Sequence, residues 1–136
     1  MNDINEKLVR KDLVYPELSY ELVGCAFEVF NELGPGHVEK NYQKAFAVML
    51  KLKNIAFSEQ VYYPLVFKGK VIGKNFLDFL IDGKVIIELK KDQYFSKTHI
   101  DQVLNYLKLS NLQLAILINF SKTGITYKRI VNISNS

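Results

Sequence analysis

The chain has one cysteine, Cys25, in 136 residues. A lone thiol excludes an internal disulfide framework and any zinc or iron–sulfur site built from cysteine alone. Cys25 is therefore expected as a small apolar residue on a helix. The two histidines, His37 and His99, show no zinc-type spacing. There is no glycine-rich phosphate loop, because Gly34-Pro35-Gly36 is too short and falls between helices. No nucleophilic triad can be argued from the spacing. No N-terminal apolar run resembles a signal peptide, and none is long enough to cross a bilayer, so a cytoplasmic location is expected. Repeats and low-complexity tracts are also absent.

What is present reads as a globular domain. Hydrophobic residues make up 49% and charged residues 24% of the chain, proportions that suit a single core at this length. The formal charge of +4 is compatible with a polyanionic partner without identifying one. Residues 1–15 are expected to form a loosely ordered arm and 16–136 one domain. Val23, Ala26, Phe27, Phe30 and Leu33 recur at helical spacing after Pro16, and Gly34-Pro35 ends that helix. A second helix over 37–53 has the stripe Tyr42, Ala45, Phe46, Met49 and Leu50. Three strands follow, over 55–67, 71–81 and 85–90, with Pro64 pointing to an edge or bulged position. Ser96 can cap a third helix reaching about Leu109, with the stripe Ile100, Val103, Leu104 and Leu107. Residues 112–120 read as a buried strand and 126–133 as the last one. The order ααβββαββ predicts an α/β fold with helices on a mixed central sheet.

The stretch Asn75 to Lys91 carries the chemistry. Asp82-Gly83 marks a turn between two apolar strands. A two-residue turn would set Asp78 and Glu88 opposite apolar residues. A three-residue loop, Asp82 to Lys84, instead sets Ile81 opposite Val85, Phe79 opposite Ile87 and Leu77 opposite Leu89. The other face then pairs Asp78 with Glu88 and Phe76 with Lys90. A one-residue slip swaps the faces, so the apolar pattern selects the second register. It gathers Asp78, Glu88 and Lys90 on one face. Two carboxylates suit a hard cation such as Mg²⁺, with the Leu89 backbone carbonyl as a further ligand, and a lysine can stabilise charge on a phosphorane. The ordinary meaning of an acid and a lysine two apart is a solvated strand face; Asp78 in register argues for the site.

Other residues border this face. Glu39 opens the second helix, where an acid also compensates the helix dipole. It adjoins the Tyr42–Phe46 side, and the site reading is favoured for that reason. His99, Gln102 and Tyr106 form a polar edge on the third helix, which also fits a plain amphipathic boundary. Lys91, Lys97, Lys108 and Lys122 read equally as a phosphate-facing rim or as scattered solubilising charges. Glu59, Tyr62, Tyr63 and Tyr94 are assigned no role.

Gly36-x-x-Glu39-x-x-Tyr42, Asp78, Glu88-Leu89-Lys90, His99-x-x-Gln102-x-x-Asn105-Tyr106-Leu107-Lys108 and Leu117-Ile118-Asn119-Phe120 together resemble the GxxExxY family. That family is placed in the PD-(D/E)xK nuclease superfamily, and Gln102 to Tyr106 is similar to a motif of its RecB-like members. The resemblance implies a restriction-endonuclease-like core and a Mg²⁺-dependent phosphodiesterase site, with Mn²⁺ as a substitute. Asp78 and Glu88 would bind the metal, with the Leu89 carbonyl and Glu39 as candidate ligands. Lys90 would be the catalytic lysine and Glu39 the upstream acid. His99, Gln102 and Tyr106 would position substrate. The four cysteines of the iron–sulfur-bearing branch are lacking. The leading expectation is a metal-dependent nuclease hydrolysing DNA. The alternative is a nucleic-acid-binding or assembly module with a vestigial or partner-dependent site. DNA is the expected partner and a membrane is not; a protein partner or a homodimer stays open.

Overall fold

The computed structural model describes residues 14–132. The expected arm falls almost wholly outside this range, as does Ile133. The elements are α1 (Pro16–Leu33), α2 (Glu39–Leu52), β1 (Phe57–Phe67), β2 (Lys70–Ile81), β3 (Val85–Lys91), α3 (Lys97–Ser110), β4 (Leu114–Ser121) and β5 (Gly124–Val131). The strands lie in the sheet in chain order. Among the described strands only β3 and β4 run parallel. A parallel step needs a crossover, and α3 is that crossover.

Two cores flank the sheet. On one face α1 and α2 bury Leu22, Cys25, Phe46 and Leu50 against Phe79, Ile87, Leu89, Ile116 and Ile118. On the other, Val103 and Leu107 of α3 pack on Leu77, Ile86, Ala115, Leu117 and Ile130. Being covered on both sides, β4 is buried from Leu114 to Phe120. Cys25 is the small buried helix residue expected. The α1 stripe is different from the one expected. Leu22, Cys25, Ala26 and Val29 are buried, whereas Phe27 is 41% and Leu33 37% exposed. The buried set holds the i, i+3, i+4, i+7 spacing; of the expected set Ala26 belongs to it, and Val23 and Phe30 pack on its flank.

Helix α2 begins at Glu39 rather than at residue 37. Val38 is its N-cap, with extended backbone. His37 instead meets the last carbonyls of α1: its Nε2 lies 2.8 Å from the Leu33 carbonyl oxygen, answering an end-of-helix acceptor. Ser96 caps α3 as expected, accepting from the His99 N–H at 3.0 Å.

The β2–β3 turn has φ of 51° at Asp82 and 65° at Gly83. The Lys84 N–H donates to the Ile81 carbonyl at 2.8 Å. Ile81 pairs with Val85 and Phe79 with Ile87, which is the register selected by the apolar pattern. The ladder then stops, and none of the three expected pairs beyond it forms: Asp78 and Glu88 meet through side-chain-to-backbone bonds instead. Leu77 does not face Leu89: it enters the α3-side core, while Leu89 enters the other. Phe76 does not face Lys90; it pairs with Tyr62, their ring centroids 5.3 Å apart. A matching irregularity lies in β1. Its ladder with β2 skips the Gln60/Asp78 pair, and Gln60 has φ of 49°. At this irregularity β2 changes face, so Phe79 and Leu77 go to opposite cores.

Beyond that point β1 and β2 leave the sheet as a two-stranded ribbon. A register shift between Leu65 and Val66 follows Pro64 on the edge strand. Leu65, Val66, Phe67, Val71 and Ile72 are exposed on the ribbon. Its only charged residues are Lys68, Lys70 and Lys74. Among the described residues, no helix is long and apolar enough to cross a membrane.

Candidate functional site

Where β2 and β3 part, two side chains take over the hydrogen bonds that the ladder gives up. The Asp78 N–H donates to Glu88 Oε2 at 2.6 Å. The Leu89 N–H donates to Asp78 Oδ2 at 2.8 Å. This reciprocal clasp satisfies two amides that would be left bare at the split. It also forces two carboxylates together in a largely buried place; Glu88 is only 7% exposed. The consequence is electrostatic. The Asp78 carboxyl is pushed from 3.8 up to about 7, first by burial and then by the Glu88 charge. Glu39 adds to the rise, whereas the Leu89 N–H bond and Lys90 oppose it. The cluster is short of positive charge, with Lys90 the nearby ammonium that partly offsets the deficit.

The α3 side of the split is lined by aromatic and imidazole groups. His99 Nε2 lies 3.4 Å from Glu88 Oε1, close enough for an ion pair but not aligned as a hydrogen bond. The His99 ring stacks on Phe95, centroids 5.5 Å apart. Tyr106 packs on Tyr63 at 4.4 Å. Burial raises both phenols, and Glu88 raises Tyr63 further. Tyr63 is thus a site neighbour that the sequence reading left without a role. Strand aromatics are ordinarily packing, and only the α3 contact reveals it. Gln102 is exposed. Its backbone carbonyl accepts from the Tyr63 hydroxyl at 3.5 Å, and its side chain forms no hydrogen bond among the described residues.

Glu39 arrives from the opposite face. Its Oε1 accepts from the Lys91 N–H at 3.2 Å, one residue beyond Lys90. It is half-buried rather than solvent-facing. Tyr42 explains how it is placed. Its ring stacks on Phe120 of β4, centroids 4.3 Å apart and planes within 8°. Its hydroxyl donates to the Gly34 carbonyl at 2.7 Å. One turn of α2 separates the two residues, so anchoring Tyr42 aims Glu39 at the end of β3. Gly36, at φ 93°, allows the chain to turn tightly into α2.

These residues suit a hard divalent cation. Each carboxylate gives one oxygen to a backbone N–H, which leaves Asp78 Oδ1 and Glu88 Oε1 as acceptors. In a strand a residue's N–H and C=O point to the same side, so the Leu89 carbonyl also faces the split. Among the described residues, no three of His, Cys, Asp and Glu converge into a closed cage. Two carboxylates, a carbonyl and an unclosed site match a cation that keeps several waters, and do not match structural zinc. Burial and the Glu88 charge raise the Asp78 carboxyl, as the crowding of the two carboxylates requires. Of the rim lysines, Lys97, Lys108 and Lys122 are exposed and Lys91 is half-buried.

No curated protein matches the chain. Among solved structures it is similar to the crystal structure of SSO0001, with a TM-score of 0.51 and 20% identity over 93% of this chain. The chain spans 62% of that protein's length, and the likeness is one of fold. Residues 16–130 match the family model described as the PD-(D/E)XK nuclease superfamily. That match covers both cores, the carboxylate clasp, Lys90, Glu39 and Tyr42, and the chain belongs to the PD-(D/E)XK nuclease superfamily.

Proposed function

We propose that the chain is a metal-dependent deoxyribonuclease of the RecB-like type, within the GxxExxY branch. The observation that carries the reading is the clasp of Asp78 and Glu88 at the split, with its deficit of positive charge beside Lys90. Asp78 Oδ1, Glu88 Oε1 and the Leu89 carbonyl would hold Mg²⁺ or Mn²⁺. When bound, the ion supplies polarisation of the phosphoryl oxygen and a more acidic attacking water. The chain's own residues do the rest. Lys90, whose charge acts on Asp78, would stabilise the negative charge that develops on the phosphorane. Glu39 supports the end of β3 through the Lys91 N–H and adds acceptor capacity for water. His99, stacked on Phe95, lies beside Glu88 Oε1 at 3.4 Å without a hydrogen bond to it. Water attacks phosphorus, one P–O ester bond breaks, and the leaving oxygen takes a proton. Lys68, Lys70 and Lys74, with no acid among them on the ribbon, favour a polyanionic substrate.

The exposed apolar residues of the ribbon favour a second reading, an assembly module whose site needs a partner. Labelled single-stranded, duplex and branched DNA incubated with Mg²⁺ or Mn²⁺ separates the two. The nuclease reading expects cleavage that chelator abolishes. Salt-dependent binding without turnover, unchanged by chelator, supports the module instead.

A further inference from the structure

The face that carries Glu88 and Lys90 continues across the sheet in two rows. Glu88 pairs with Leu117 and Leu117 with Lys128; Lys90 pairs with Asn119 and Asn119 with Thr126. Residues opposite each other in a ladder share a face. The preceding row, Ile86, Ala115 and Ile130, lies in the core under α3. Toward the C-terminal end of β3 the helix cover gives way to a cleft of about 210 Å³, walled by Tyr94, Phe95, Leu117, Asn119, Thr126 and Lys128. Adjacent strands are about 4.8 Å apart. The cleft floor is therefore one to two strand spacings from Glu88 and Lys90, about the span from a phosphate to a neighbouring base.

The walls have the chemistry of a site for one planar heteroaromatic ring. Drug-sized ligands occupy pockets of roughly 300–1,000 Å³, and this one is smaller. Leu117 and Phe95 give it an apolar floor. Asn119 is 7% exposed; its Oδ1 accepts from the Gln93 N–H at 3.3 Å, and its Nδ2 has no partner among the described residues. That amide is not closed off from solvent, so its hydrogens are free to meet the edge of a bound ring. Tyr94, on the loop between β3 and α3, is 94% exposed and stacks on no ring among the described residues. It spends almost none of its aromatic surface on the fold. A second cleft of about 440 Å³ shares Gln93, Tyr94, Asn119 and Thr126 and leads on to Lys122. A basic residue thus lines each cleft and is available to a flanking phosphate.

We propose that this cleft receives one unpaired nucleobase of the DNA strand, adjacent to the phosphate held at Asp78, Glu88 and Lys90. Tyr94 closes over the base, Asn119 reads its edge, and Lys128 and Lys122 meet the backbone on either side. The identity of the strand rests on the nuclease reading. A paired and stacked base cannot enter such a cleft without leaving the duplex. The protein therefore selects single-stranded or locally unpaired DNA.

The test uses the full chain and single-stranded deoxyoligonucleotides in which one abasic site is walked along the sequence. Binding is measured under chelation and cleavage with Mg²⁺. One position beside the cut should weaken binding roughly 5- to 150-fold when its base is removed, the range of a base–aromatic stack. Tyr94→Ala should cause the same loss, with no further loss when the two changes are combined. Tyr94 is 94% exposed, so its removal leaves the fold intact. Loss that is equal at every position, or wild-type binding by Tyr94→Ala, overturns the proposal and leaves the nuclease reading standing. Base-dependent binding without cleavage overturns the nuclease reading and leaves the cleft. A protein that binds no strand overturns both.

Discussion

Replacing Asp78 by asparagine should make the protein more stable, by an amount that grows with pH. The Asp78 carboxyl is raised from 3.8 to about 7 by burial and by Glu88. At 1.36 kcal/mol per unit, that displacement corresponds to about 4 kcal/mol. In the unfolded chain an aspartate loses its proton near pH 3.9. Below that pH both states are protonated and nothing is lost. Between about pH 4 and pH 7 the unfolded chain has released the proton and the folded chain still holds it, so stability falls as pH rises. Above about pH 7 both states are ionised and the full penalty stands. Asparagine keeps a carbonyl oxygen for the Leu89 N–H and never ionises. Asp78→Asn should match wild type near pH 4 and exceed it by about 2–4 kcal/mol at about pH 8, the lower figure allowing for relaxation of Glu88. Urea unfolding under chelation across this range measures it, read as a shifted midpoint at constant slope. Parallel pH curves, or a less stable variant at the alkaline end, would refute the crowding of the two carboxylates.

Millimolar Mg²⁺ should raise the melting temperature of wild type and leave that of Asp78→Asn nearly unmoved, since only the intact native pair binds the ion; equal shifts would count against the pair as its holder. Glu39→Gln keeps an acceptor for the Lys91 N–H. Its stability should stay within about 0.5 kcal/mol of wild type. Its cleavage rate at saturating cation should drop about 10- to 100-fold, and an undiminished rate removes Glu39 from the mechanism. Tyr42→Phe keeps the stack on Phe120 but loses the bond to the Gly34 carbonyl. About 1 kcal/mol of stability should go with it. The rate should fall as well, and combining it with Glu39→Gln should add less than the two losses together if Tyr42 acts through Glu39.

The order of elements was legible because each has a clean period or a clear stop. The β2–β3 register was legible as far as Phe79 and Ile87, where apolar residues alternate on facing strands. It became illegible at Asp78, because the change of face coincides with the left-handed Gln60 on the neighbouring strand, and Gln60 carries no local sign of it. The grouping of Asp78 with Glu88 survived that failure, since the two carboxylates bond to backbone amides where the ladder ends. Tyr63 and Asn119 were hidden for a different reason. Each lies on a strand whose own pattern reads as packing, and only the fold brings Tyr63 beside Tyr106 and Glu88, and Asn119 beside Lys90.

The most direct measurement is cleavage of labelled single-stranded DNA with Mg²⁺ by wild type, Glu88→Gln and Lys90→Met, each checked for an unchanged unfolding profile. Wild type should cut. Lys90→Met, which keeps an apolar stem and loses the ammonium, should be slowed about 10²- to 10³-fold, and Glu88→Gln at least as much. Cleavage that proceeds at the wild-type rate in either folded variant would contradict the assignment of hydrolysis to the split between β2 and β3.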